Sequence, residues 1–111
     1  MAPPKGELLA QMVRTIVDTV APQQVIVFGS WARGDARPDS DVDLLVVESE
    51  PFGPQRSRRR ELTRLWTALR AFPVAKDVLV YDRREVEDRR SCLNHVVAHA
   101  LREGKVLYAK A

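Results

Sequence analysis

The stretch 28-FGSWARGDARPDSDVDLLVV-47 joins two apolar runs through a polar loop. The first run, 25–28, is β-branched and aromatic and stops at Gly29, which is typical of a buried strand. The second run, 41–47, opens with Asp41 and Asp43, whose side chains share one face because successive strand residues alternate. Two neighbouring carboxylates repel each other and resist joint ionisation. The stretch therefore predicts two strands with a charge conflict at one end, which a bound cation would remove.

The residues around these acids have the chemistry of a site for a metal and a triphosphate. Mg²⁺ binds one or two carboxylates together with phosphate oxygens and water. Gly29 lets a phosphate approach the backbone, and the Ser30 hydroxyl and nearby N–H groups can donate to it. Arg33, and less favourably Arg37, could pair with a phosphate oxygen, the alternative being exposed loop arginines. Ser40 is expected to brace the turn that leads into the second strand, and Asp35 and Asp39 are expected in turns.

Apolar periodicity along the chain predicts an α/β (α+β) domain, a small mixed sheet with helices packed on it. The charged segment 83–90 is interpreted as a connector. The predicted elements are a helix over 8–20, strands at 25–28 and 41–47 with a helical turn at 30–33 between them, a helix over about 56–71, a strand at 74–81, a helix from Leu93 that ends at Gly104, and a short edge strand at 106–108.

The composition favours a single domain over 1–111 that works in the cytoplasm. No run of apolar residues approaches the ~20 that cross a bilayer, and the first residues contain no apolar signal core. The single cysteine, Cys92, excludes an internal disulfide and is expected to be at least half-buried. The net charge of +3 is too modest to require a nucleic-acid partner, although arginines cluster at 56–60. That cluster is interpreted as the solvated face of a helix.

The order of these residues resembles a known family. The pattern G-S-x10-D-x-D, present as Gly29-Ser30 and Asp41-Val42-Asp43, is similar to the signature of polymerase-β-type nucleotidyltransferases. The string GSWARGDARPDSDVDLLV resembles the smallest members, the minimal nucleotidyltransferases (MNT), which are antitoxins of HEPN/MNT pairs in prokaryotes. The segment 98-AHALREGKVLY-108 resembles the A-L-x-E-G-x-x-L-Y ending common in that group. The resemblance implies a nucleotidyltransferase fold and a single minimal domain.

The resemblance also implies a third carboxylate on a neighbouring strand, and Asp77 is the position that fits. Lys76 stands where an apolar residue is expected, and Asp82 is a weaker candidate on the opposite strand face. Asp41 and Asp43 would hold two Mg²⁺ ions, and Asp77 would share the one nearer the attacking hydroxyl. The simpler alternative to this catalytic role is that Asp77 is a charged residue at the edge of a strand.

The activity implied is transfer of AMP from ATP to a hydroxyl, a tyrosine of a HEPN-type partner toxin, which is thereby neutralised. The acceptor would then lie on another molecule, in a homodimer or a hetero-oligomer. Neutralisation by contact alone, and transfer to a small molecule or an RNA end, remain as alternatives. Trp66 or the 56–60 cluster could supply a docking surface, although Leu62, Leu65 and Leu69 around Trp66 favour a core position for it.

His95 and His99 are spaced like a zinc-binding pair on the last predicted helix. No cysteine or carboxylate is placed to complete such a site. Surface or partly packed histidines are therefore the preferred interpretation.

Overall fold

The computed structural model describes residues 5–37, 40–92 and 94–110, with the side chain of Lys5 excepted. Asp39, predicted in a turn, and Leu93, predicted in the last helix, lie outside these residues. The helices are α1 (Lys5–Val20), α2 (Ser30–Arg33), α3 (Arg58–Leu69), α4 (Arg83–Arg89) and α5 (Val96–Glu103). The strands are β1 (Gln24–Phe28), β2 (Val42–Glu48), β3 (Lys76–Asp82) and β4 (Lys105–Ala109).

The strands form one mixed sheet in the order β3-β2-β1-β4. β1 runs antiparallel to both β2 and β4, while β2 and β3 are parallel. A parallel pair needs a crossover connection, which α3 provides between β2 and β3. The predicted α/β class and mixed sheet are therefore confirmed, including the short edge strand near the end of the chain.

Both faces of the sheet are covered, so the central strands are apolar on both sides. Leu44 and Val46 of β2 face a core that contains α1 and α3, whereas Leu45 and Val47 face a second core that contains α4 and α5. Met12 and Ile16 of α1 and Leu65 and Leu69 of α3 are fully buried in the first core. Val86, Val97 and Ala100 belong to the second core. No helix among the described residues is long and apolar enough to cross a membrane.

The segment 83–90, predicted as a connector, contains α4, and this prediction was wrong. A capping box begins the helix, since Asp82 Oδ1 accepts from Glu85 N at 2.8 Å and Glu85 Oε1 accepts from Asp82 N at 2.9 Å. The pattern Asp-x-x-Glu was visible in the sequence, but charged residues dominate the segment and only Val86 is buried. One buried residue leaves no apolar periodicity to detect.

The arginine cluster at 56–60 is divided by the fold. Arg56 precedes α3, donates hydrogen bonds to the carboxyl groups of Glu48 and Glu61, and lies 4.3 Å from the centre of the Phe52 ring. Arg58 pairs with Glu85 and donates to Val80 O at 2.8 Å. Arg56 and Arg58 therefore connect α3 to the sheet and to α4. The interpretation as a solvated helix face holds only for the exposed Arg59 and Arg60.

Two further expectations, for Trp66 and Cys92, were wrong, and the one for the histidines was confirmed. Trp66 is 39% exposed, because the buried side of α3 centres on Leu65 and Leu69 rather than on all four apolar residues. His95 is the N-cap of α5, is half-buried and accepts from Val97 N through Nδ1 at 3.1 Å, while His99 is exposed, as expected of surface or partly packed histidines. Cys92 is exposed.

Candidate active site

The strand register places the predicted acids beside one another. Asp43 is paired with Phe28 of β1 on one side and with Asp77 of β3 on the other. Residues opposite each other on adjacent strands point to the same face, and adjacent strands lie ~4.8 Å apart. Asp77 is therefore the direct neighbour of Asp43. Asp41 lies one residue before β2 rather than inside it, and both Asp41 and Asp77 are exposed.

The charges of Asp41 and Asp77 act on the carboxyl group of Asp43. Burial raises the pKa of the half-buried Asp43, and the nearby charges of Asp77 and then Asp41 raise it further. The positive charge of Arg33 opposes this rise. The carboxylates thus form a patch of unfavourable negative charge, and a bound cation would relieve it.

Gly29 is pressed against this patch. Its backbone has φ 73° and ψ −152°, a conformation that side chains rarely allow. A Cβ atom added to Gly29 would lie only 2.5 Å from Asp43 Oδ2. Its carbonyl oxygen accepts from Ala32 N at 3.0 Å and from Arg33 N at 3.1 Å, which starts α2. Glycine is needed here both for the turn and for the approach to the carboxylate.

The loop between β1 and β2 is held by its own hydrogen bonds. Ser30 is the first residue of α2, and its carbonyl oxygen accepts from Gly34 N at 3.0 Å. Trp31 Nε1 donates to Ser40 O at 3.3 Å, and Ser40 Oγ accepts from Arg37 N at 2.8 Å. Ser40 therefore braces the turn, as the sequence predicted. Trp31 is a contributor to this loop that the sequence analysis missed.

Arg33 lies on the solvent side of the loop. Its Nε is 3.3 Å from Asp35 Oδ2 and its guanidinium lies 4.0 Å from Glu103 Oε2. Exposed pairs of this kind contribute little stability, so the side chain can exchange them for a phosphate. Glu103, which also pairs with His99 Nε2 at 3.0 Å, was missed as a neighbour of the site. Its signal in the sequence was the glutamate of A-L-x-E-G-x-x-L-Y.

The donor chemistry of the patch fits a hard divalent cation, because Asp41, Asp43 and Asp77 offer carboxylate oxygens only. As they stand, no three His, Cys, Asp or Glu side chains within the described ranges are close enough together to hold a metal ion. Binding would therefore require the exposed side chains of Asp41 and Asp77 to turn towards Asp43.

Asp82 is not part of this patch. It lies at the opposite end of β3, where it is 3% exposed and caps α4. The patch itself lies at the carboxyl end of β1 and the amino ends of β2 and β3, because β1 runs antiparallel to β2. The β1–β2 connection consequently begins at Gly29, beside Asp43, and ends at Asp41.

Comparison with known proteins bears on this arrangement. The family model for the nucleotidyltransferase domain matches residues 9–99. No curated protein matches the chain significantly. The solved structure of a candidate minimal nucleotidyltransferase is 28% identical with a TM-score of 0.58, over 90% of this chain and 92% of that one.

More distant structures share the fold. A candidate nucleotidyltransferase from Sulfolobus solfataricus is 22% identical with a TM-score of 0.61, over 94% of this chain and 79% of that one. A chain in the complex of tri-AMPylated Shewanella oneidensis HEPN toxin with MNT antitoxin is 17% identical with a TM-score of 0.55, over 96% of this chain and 74% of that one. A chain of a toxin–antitoxin complex with AMP-PNP is 19% identical with a TM-score of 0.54, over 91% of this chain and 73% of that one.

Proposed function

The chain belongs to the nucleotidyltransferase domain family, and from that premise we propose that it transfers AMP from ATP to a tyrosine hydroxyl of a HEPN-type toxin. The transfer is Mg²⁺-dependent and neutralises the toxin, which makes the chain an antitoxin. The observation that carries the proposal is the register of β2 and β3, which sets Asp43 beside Asp77, with Gly29 packed against Asp43. Phosphate, metal and attacking hydroxyl can all meet at that point.

Each residue of the patch has a role in this proposal. Asp41, Asp43 and Asp77 hold Mg²⁺, which when bound offsets the charge of the triphosphate and of the attacking and leaving oxygens. Asp77, at the exposed edge of the patch, accepts the proton of the attacking hydroxyl. The Gly29 turn and the Ser30 hydroxyl bind the β- and γ-phosphates, which leave as pyrophosphate when the hydroxyl oxygen bonds to the α-phosphorus and the bond between the α- and β-phosphates breaks.

Arg33 supplies a further phosphate contact in this proposal. Its guanidinium releases Asp35 and binds a phosphate oxygen instead. A guanidinium binds phosphate through charge-assisted hydrogen bonds, which are stronger than its exposed pair with Asp35. Ser40 acts by holding the loop through Arg37 and Trp31.

The protein acceptor is supported by the openness of the patch and by the relatives. Asp41 and Asp77 are exposed, so a side chain on another protein can approach them directly. The fold is shared with a chain found in complex with a tri-AMPylated HEPN toxin, and with one found in a toxin–antitoxin complex with AMP-PNP, an ATP analogue. These complexes suggest ATP as donor and a HEPN-type partner as acceptor.

The test is transfer of label from ATP to the HEPN-type protein of the same organism, in the presence of Mg²⁺. We expect the double variant Asp41→Asn/Asp43→Asn, and separately Asp77→Asn, to lower the rate about 100-fold or more. Asp18→Asn is the matched control, because Asp18 is an exposed aspartate of α1. Its rate should equal that of the wild type.

The outcomes separate the alternatives. Unchanged labelling by the Asp41→Asn/Asp43→Asn variant would contradict the assignment of the site. Neutralisation of the toxin without labelling, equally by wild type and variant, would indicate an antitoxin that acts by contact alone. Label on RNA or on a small hydroxyl compound, or on a second copy of this chain, would replace the proposed acceptor.

A further inference from the structure

The outer face of α3 carries a continuous stripe of residues, in which Leu62 packs partly against the first core and Trp66 is 39% exposed. Its residues recur at steps of three and four, which places them on one side of the helix. The α3 stripe consists of Arg59, Leu62, Thr63, Trp66, Thr67 and Arg70. From Arg59 to Arg70 it is about 16 Å long at the rise of an α-helix. Together with Lys76 it lines a groove of about 520 Å³.

The charges on this stripe are of one sign and unpaired. The side chains of Arg59 and Arg70 have no ion-pair or hydrogen-bond partner among the residues the structure describes. By contrast Arg56, Arg58 and Arg64, in the same region of the chain, pair with Glu48, Glu85 and Glu61 respectively. The groove has no acidic residue in its lining. Arg59 and Arg70, at the two ends of the stripe, thus lack the carboxylate partners that Arg56, Arg58 and Arg64 have.

The centre of the stripe is apolar. Trp66 is 39% exposed and Leu62 is half-buried beside it. Tryptophan and arginine are enriched at the energetic centres of protein–protein interfaces, where a large ring fills a pocket on the partner. An exposed tryptophan between two unpaired arginines therefore has the composition of a docking surface with a charged rim.

The groove reaches the candidate active site. Lys76 is the first residue of β3 and Asp77 the second. The Lys76 ammonium is held in place by donating to Val74 O at 3.0 Å and Phe72 O at 3.3 Å. Alternation along the strand turns Lys76 towards α3 and Asp77 towards the acidic patch. A protein that presents a hydroxyl to Asp77 can therefore lie around the edge of β3 and contact the stripe at the same time.

We propose that the α3 stripe docks an acidic amphipathic segment of the acceptor protein. Apolar side chains of that segment pack on Trp66 and Leu62, and carboxylates at its two ends face Arg59 and Arg70. This inference rests on the proposed function for the identity of the acceptor. A nucleic-acid backbone fits less well, because it needs a series of phosphate contacts, whereas the stripe has two widely separated unpaired cations.

The experiment compares charge reversal on and off the stripe. Arg59→Glu/Arg70→Glu removes the complementary charge, and Arg14→Glu/Arg60→Glu is the matched control with the same charge change at exposed positions outside the groove. We expect the stripe variant to raise the KM for the HEPN-type protein of the same organism at least about tenfold, with kcat and the KM for ATP unchanged.

A second variant removes the apolar centre of the stripe. A direct binding measurement then tests docking without relying on AMP transfer. Trp66→Ala should weaken binding at least about tenfold without altering net charge. Binding is measured by calorimetry in the Asp41→Asn/Asp43→Asn background, so that it does not depend on catalysis. Circular dichroism and thermal unfolding confirm that each variant is folded.

Each outcome bears on the inference. Lost binding in both stripe variants, with normal binding in the Arg14→Glu/Arg60→Glu control, supports it, even if the wild type labels nothing and the proposed activity fails. Normal KM and normal binding in the stripe variants would overturn it while leaving the activity intact. It would also be overturned by equal losses in the control, by a wild type that does not bind the partner, or by an RNA oligonucleotide that binds the stripe more tightly.

Discussion

Gly29 shows how a single residue connects the backbone to the chemistry of the site. Its positive φ of 73° turns the chain from β1 into α2, and its missing side chain leaves room for Asp43 Oδ2. The same residue would expose backbone N–H groups to a phosphate in the proposed reaction. The packing leaves no room for a larger residue at position 29, since an added Cβ atom would lie 2.5 Å from Asp43 Oδ2.

Replacement of Gly29 by alanine should therefore damage both the turn and the patch. We expect Gly29→Ala to lower nucleotidyl transfer at least about tenfold and to destabilise the fold by about 1–3 kcal/mol, from left-handed backbone strain and the clash with Asp43. Transfer assays and urea unfolding measure the two effects. Gly53→Ala is the control, because a Cβ there meets nothing within 4 Å. Wild-type activity in Gly29→Ala would contradict this account of the turn.

At the scale of elements, Asp82 organises the end of the molecule opposite the site. Its Oδ1 caps α4 through Glu85 N, and its Oδ2 accepts from Phe52 N at 2.9 Å. Although burial raises the pKa of Asp82, the hydrogen bonds from the backbone N–H groups of Glu85 and Phe52 outweigh it and hold that pKa below its usual value. One carboxylate thus joins β3, α4 and the loop after β2.

Removal of this carboxylate should weaken the fold and leave the site residues in place. We expect Asp82→Ala to lower the free energy of unfolding by about 2 kcal/mol, from the lost cap and the unpaired N–H of Phe52. Asp88→Ala, on the exposed side of the same helix, should change it by less than about 0.5 kcal/mol. Urea denaturation measures both. Equal values for the two variants would show that the capping box does not stabilise α4.

At the scale of the whole molecule, Glu48 joins the end of β2 to α3. It is 2% exposed and its Oε2 has no hydrogen-bond partner among the described residues. Burial raises the pKa of Glu48 to about 8, helped by the hydrogen bond and charge of Glu61, while Arg56 opposes the rise. Burial therefore favours the protonated form of Glu48 in the folded protein. The surrounding charged groups are Glu50, Arg56, Glu61, Arg64 and Lys110.

This buried proton makes the stability of the molecule depend on pH. The folded state keeps the proton on Glu48 up to about pH 8, whereas the unfolded state releases it near the ordinary value of 4.5, so this contribution decreases as pH rises between those values. Glu48→Gln cannot titrate, so we expect its stability, relative to the wild type, to improve steadily from pH 5 to pH 8. Urea midpoints at three pH values in this range measure the trend. Parallel curves for the two proteins would contradict it.

Features that depend on neighbours along the chain could be predicted before the fold was known. Periodicity predicted α1, α3 and the strands, and the spacing of Gly29-Ser30 and Asp41-x-Asp43 placed the predicted site at the ends of two strands. These signals are short-range, because side-chain alternation and helical periodicity are properties of the local backbone. The short helix α4 was not predicted, because its single buried residue produces no apolar periodicity in the sequence.

Contacts between residues far apart in the chain could be read only from the folded molecule. The resemblance to known nucleotidyltransferases suggested Asp77, but its place beside Asp43 depends on the register of the parallel strands β2 and β3. The pairing of Arg56 and Arg58, and the exposure of Trp66, follow from how α3 is rotated against the sheet. Such contacts join segments far apart in the chain, and no local pattern encodes them, because a shift of one residue in register turns every strand side chain to the other face.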